Sequence, residues 1–137
     1  MRKWVGVALG GGAGAVLRYL IRGIVLVPGI GGFPLNTLLI NVAGSFALSL
    51  LLTAAGGIFA LKPELRLALT TGFLGAFTTF STVCREMALL LSDGSYGLAL
   101  LYVLCTVLLG LLGAYGGYRL GSRMPATPDA PEEEAKE

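Results

Sequence analysis

Four hydroxyl side chains, Thr78, Thr79, Ser81 and Thr82, crowd into five positions of the stretch TTGFLGAFTTFSTVCREM (70–87). Gly72 and Gly75 precede them, and Arg85 and Glu86 follow. The surrounding run is apolar enough for a membrane helix. Hydroxyls in such a run can serve backbone groups that a helix break sets free. Broken backbone at membrane depth is tolerated only where protein buries it or water lines it. The helix ends that a break creates are ion sites. Carbonyls at a C-terminal end face cations, and N–H groups at an N-terminal end favour anions. The glycines predict a break between Gly72 and Gly75, with ion handling as its chemistry.

Other residues fit the same chemistry. Thr37, Asn41, Gly44 and Ser45 fall at i, i+4, i+7 and i+8, one helix stripe. That stripe makes either a hydrogen-bonding helix contact or a polar pore wall. Tyr102 and Thr106 stack four residues apart in another apolar run. Arg18 and Arg22 lie one turn apart and are either interfacial anchors beside Tyr19 or a cationic vestibule. No catalytic set accompanies them. The chain has no histidine, no Ser–His pair and no carboxylate pair within a span. Cys84 and Cys105 sit far apart in apolar runs and read as buried thiols. GVALGGGAGA formally fits a dinucleotide fingerprint, but no acid follows about 20 residues on. Gly6, Gly10 and Gly14 instead make a small-residue stripe for close helix packing. The chain is not expected to be an enzyme, and nucleic acid is not an expected partner.

The elements that hold these residues are four apolar segments, at about 4–27, 35–61, 67–91 and 96–118. Each is near or above the ~20 residues needed to cross a bilayer. PGIGGFP (28–34), KPELR (62–66) and SDGS (92–95) read as short connections between antiparallel neighbours. Of the 137 residues, 55% are hydrophobic and 13% charged, against about a quarter charged for a soluble domain. The fold class is an all-α integral membrane protein over residues 1–124. Residues 125–137, PATPDAPEEEAKE, hold five of the eight acids and one of the ten bases, and read as a disordered acidic tail. Residues 1–124 thus carry nine bases against three acids. Six of those bases fall on the side of the termini and Arg18, Arg22 and Arg85 on the other. The bias favours cytoplasmic termini but is weak enough for insertion both ways.

Taken together, GGGAGAVLRYL, NTLLINVAGSF and GFLGAFTTFSTV resemble the Fluc/CrcB family of bacterial fluoride channels, over residues 1 to about 122. The third motif, a Gly-x-x-Gly-x-x-Thr-Thr-Phe-Ser-Thr string in mid-span, is the specific one. The resemblance implies an antiparallel, dual-topology homodimer of four-helix subunits in the bacterial cell membrane, with the third helix broken at its centre. It implies two fluoride pores per dimer and passive export of cytoplasmic fluoride. It also implies a structural Na⁺ on the two-fold axis, held by backbone carbonyls at the positions of Gly75 and Thr78. Pore positions match Asn41, Phe80, Ser81, Thr82, Tyr102 and Thr106, and vestibule positions match Thr37 and Arg18 more loosely. A fluoride ion suits the positive edge of the Phe80 ring and the amide and hydroxyl donors of Asn41 and Ser81. No fixed charge is needed, since one would hold the ion too tightly to release it.

The family usually has a second phenylalanine three residues after the first, and here Val83 occupies that place. Either Val83 is tolerated in a homodimer with altered flux, or the chain is one half of a heterodimer. A small proton-coupled multidrug-type exporter is the alternative four-helix, dual-topology reading. It needs an embedded carboxylate, and Glu86 is expected instead to pair with its neighbour Arg85. A non-transporting membrane assembly protein, showing no ion flux, is a third class.

Overall fold

The computed structural model describes residues 2–23, 32–54 and 61–124. All regular structure among them is helical. Four helices are long and apolar enough to cross a membrane: Lys3–Gly23, Leu35–Ala54, Pro63–Ser92 and Tyr96–Gly121. The chain is a multi-pass membrane protein. We label the elements α1 (Arg2–Gly23), α2 (Leu35–Ala54), α3 (63–77), α4 (Phe80–Ser92) and α5 (Tyr96–Gly121), with α3 and α4 forming the third span.

Glycines let the spans meet backbone to backbone. A methyl group on Gly6 would touch Ala68 at 3.4 Å, and one on Gly10 or Gly14 would collide with the carbonyls of Ala68 or Phe73. The expected stripe on α1 therefore packs on α3, and the two helices run parallel. Gly72 answers from the other side, where a methyl would lie 2.6 Å from the Val7 carbonyl. On α5, Gly113 and Gly117 present the same bare surface to α2, against the carbonyls of Val42 and Phe46. In lipid such close approach is itself the driving force, because packing replaces the hydrophobic effect between helices. Side chains then fill two cores, one of Leu38, Val83, Leu90, Ala99 and Tyr102, the other of Ile40, Leu74 and Phe77.

The third span departs from expectation at both its start and its break. KPELR is not a loop throughout, because helix begins at Pro63. Proline has no N–H to leave unsatisfied at the first helical position, and Leu65 and Arg66 donate back to the Lys62 carbonyl. A π-helical stretch follows over Ala68–Leu74, then a short α-helical piece, Gly75–Phe77. Gly72 and Gly75 both lie in helix, so the break does not fall between them. It falls at Thr78 and Thr79, whose backbones are extended (ψ 159° and 124°). Glycine was needed at 72 for packing, and the threonines carry the break.

The connection from α4 to α5 is tight. Ser95 N–H donates to the Leu90 carbonyl and Gly94 N–H to that of Leu91, with Gly94 at φ +71°, a conformation that favours glycine. α5 extends to Gly121, three residues past the expected end. Leu61 is not helical, and the expected span ends at 24–27 and 55–60 and the acidic tail lie outside the described residues.

Candidate functional site

The break is held from a different helix. Asn41, on α2, donates from Nδ2 to the Thr79 carbonyl at 2.9 Å and accepts the Thr79 N–H on Oδ1, also at 2.9 Å. One amide side chain thus satisfies both backbone groups of one residue. Thr79 is buried, so leaving these groups bare would cost about 1–3 kcal/mol each. Without Asn41, Thr79 N–H would be the natural donor to the Gly75 carbonyl four residues back. The clamp diverts it.

A second diversion follows one turn later. Thr82 N–H, the natural donor to the Thr78 carbonyl, goes to Thr79 Oγ1 at 3.3 Å. Thr79 is the N-cap of α4, so its hydroxyl satisfies one of the orphan donors of that helix. Its Oγ1 also reaches Thr82 Oγ1 at 3.0 Å and Ser81 Oγ at 3.3 Å. Thr78 Oγ1 caps the other side of the break by donating to the Leu74 carbonyl at 3.0 Å. Gly44 makes room, since a methyl there would overlap Thr78 Cγ2.

A groove of ≈ 240 Å³ runs beside the break, lined by Asn41, Gly44, Ser45, Leu48, Thr78, Thr79, Phe80, Val83 and Thr106. None of these side chains is charged. Asn41, Phe80, Val83 and Thr106, singled out from the sequence, therefore share one cavity with Thr78. Phe80 is 79% exposed, with its ring projecting away from this chain's own core. Val83 is buried, packed in the same core as Tyr102. Thr106 Oγ1 donates to the Tyr102 carbonyl on its own helix at 2.7 Å. Gly75 is exposed and Thr78 half-buried.

Tyr102 and Thr37 belong to a second cluster, on Glu86. Thr37 Oγ1 donates to Glu86 Oε1 and Tyr102 OH to Glu86 Oε2, each at 2.8 Å. Tyr102 is fully buried, with its ring edge-on to Phe33 at 5.6 Å between centroids. Arg22 Nη2 lies 3.5 Å from Glu86 Oε1. This corrects the expected Arg85–Glu86 pair. Neighbouring residues on a helix point about 100° apart, so Arg85 is exposed while Glu86 turns inward to Arg22. Glu86 was missed as a site residue. The available signal was its spacing, three after Val83 and four before Leu90, which puts it on the buried stripe of α4. Arg18 is half-buried on α1, one turn before Arg22.

The arrangement offers uncharged donors and a ring at a groove wall, two diverted carbonyls, and the N-terminus of a 13-residue helix at Phe80. Donors, ring edge and helix ends of this kind are the chemistry that suits small ions. The model of the family described as CrcB-like protein, camphor resistance (CrcB), matches residues 5–118. Among similar curated proteins, "Fluoride-specific ion channel FluC" of Thermus thermophilus is 44% identical over 124 residues, covering 90% of this chain and 98% of the relative. The protein of the same name from Methanopyrus kandleri is 44% identical over 116 residues, covering 85% and 86%. "Fluoride-specific ion channel FluC 2" of Geobacillus kaustophilus is 40% identical over 115 residues, covering 84% and 89%. With the match reaching into all four spans and covering most of the chain, and with relatives 40–44% identical over 86–98% of their length, this chain belongs to the CrcB family.

Proposed function

We propose that the chain is a fluoride-selective channel that lets cytoplasmic fluoride leave a bacterial cell down its gradient. The observation that carries the reading is the uncharged groove beside the break. Fluoride is small and hard, and it needs donors to replace its water shell without a charge that traps it. Asn41 retains a second Nδ2 hydrogen beyond the one given to Thr79, and the Ser45 hydroxyl lines the same wall. The positive end of α4 opens on the break and favours an anion. The positive edge of the Phe80 ring is available on the exposed side. The names of the curated relatives agree with this choice of ion.

The working unit is an antiparallel homodimer with two pores. A large ring 79% exposed at the edge of the groove leaves that edge open to a partner. A structural Na⁺ belongs to the same reading. The Gly75 and Thr78 carbonyls lose their helical donors to Asn41 and Thr79, and the C-terminal end of α3 adds its negative pole. Both carbonyls fit a hard monovalent cation, shared with those of a partner. Its chemistry there is positive charge without redox or acid–base function.

The test is fluoride efflux from liposomes holding this protein alone, read by a fluoride electrode on adding valinomycin. Fast fluoride loss without chloride loss is the expected result. Well-folded protein that releases no fluoride overturns the homodimeric channel and points to a partner subunit supplying the ring that Val83 lacks. Fluoride movement that follows an imposed proton gradient instead of its own gradient points to a coupled exporter built on Glu86.

A further inference from the structure

The two ends of the helix bundle differ in charge. α1 and α3 begin, and α2 and α5 finish, at one end. That end carries Lys3, Lys62, Arg66, Arg119 and Arg123 against a single described acid, Glu64. At the opposite end Arg18, Arg22 and Arg85 stand with Glu86 and Asp93, and Arg22 faces Glu86.

Aromatic side chains fix the level of the basic end in a bilayer. Trp4, Tyr115 and Tyr118 are exposed there, as Tyr19 and Tyr96 are at the other end. Such rings settle at the headgroup level. Tyr96 and Tyr115 are about 28 Å apart along α5 at 1.5 Å per residue, close to the thickness of a hydrocarbon core. The cations near this belt therefore stand at the depth of lipid phosphates. Arg119 is already posed: its Nη1 lies 3.1 Å from Tyr115 OH, and its guanidinium stands 5.8 Å over the Tyr115 ring. The starts of α1 and α3 touch, since a methyl on Gly6 would lie 3.9 Å from the Glu64 carbonyl. That contact sets Lys3 and Trp4 beside exposed Lys62.

We propose that this basic end is a binding surface for the phosphodiester headgroups of anionic lipid, of the phosphatidylglycerol class. Charge complementarity and the aromatic belt select lipid over a protein partner. The acidic segment after Met124 is the competing occupant, and the experiment separates it.

Trp4 is the chain's only tryptophan and sits within the surface. Its fluorescence, quenched by brominated phosphatidylglycerol or brominated phosphatidylcholine at equal mole fraction, reads which lipid lies against it. The expected result is a preference for phosphatidylglycerol of about two- to fivefold at low salt, shrinking toward unity at high salt. The Lys3→Gln, Lys62→Gln double variant should lose most of that preference while conducting as before. Equal quenching by the two lipids, or a preference that survives the lysine substitutions, overturns the proposal. So does a preference that appears only in a chain ending at Met124, which would give the surface to the acidic tail.

Discussion

Replacing Asn41 by alanine removes a support that no residue of the third span can supply. Two hydrogen bonds of 2.9 Å disappear, and the N–H and carbonyl of buried Thr79 lose their partners. At about 1–3 kcal/mol for each bared group the gross loss is about 2–6 kcal/mol. Thr79 N–H can recover one bond by closing on the Gly75 carbonyl, but only if the break straightens. The net expectation is a loss of about 2–4 kcal/mol and a shift toward an unbroken helix. Each 1.4 kcal/mol is tenfold in population, so fluoride flux should fall by about tenfold or more. Unfolding in mixed SDS and mild-detergent micelles reads the first quantity, and liposome efflux the second. Asn41→Asp is the informative companion: it can still accept from Thr79 N–H but cannot donate to the carbonyl, and it adds charge to an uncharged groove. If Asn41→Ala unfolds at the same detergent fraction as the parent, the clamp does not hold the break.

Three further outcomes follow from the packing. Gly44→Ala should lose about 1–3 kcal/mol by overpacking against Thr78 Cγ2, and Thr78→Ser should restore most of it by deleting that methyl while keeping the bond to Leu74, as read by micellar unfolding. Glu86→Gln leaves one acceptor oxygen for the hydroxyls of Thr37 and Tyr102 and should cost about 1–2 kcal/mol, while Arg85→Gln on the exposed face stays within about 0.5 kcal/mol in the same assay. Gly117→Val drives a side chain into the Phe46 carbonyl, where no rotamer can relieve it, and should yield no monodisperse protein on size exclusion.

The four spans were legible, as was a break somewhere in the third though not its place, because they depend on local facts. A run of apolar residues has a length, and a cluster of threonines in such a run has few explanations. Asn41 was legible as a polar residue on a stripe with Gly44 and Ser45, but not as the partner of Thr79. The two are 38 residues apart, and periodicity says which residues share a face without saying which faces meet. The same limit explains Glu86. Its partners Thr37 and Arg22 lie 49 and 64 residues away, so adjacency in the chain pointed to Arg85 instead. The glycines misled in a different way. Gly72 and Gly75 weaken a helix in principle, yet Gly72 is needed where Val7 approaches, so close packing and not flexibility decided its place.

The clamp on Thr79 also bears on how the chain is assembled. A single segment entering a bilayer must satisfy its backbone from within, and before α2 docks the Thr79 N–H has the Gly75 carbonyl as its helical acceptor. A separate third span is therefore expected to favour an unbroken helix, in which Thr79 keeps that bond. In the folded chain the break goes with Asn41, which takes both groups of Thr79 together. The broken geometry thus depends on two helices meeting, so a misdocked subunit is expected to carry a sealed span and not a leaking one.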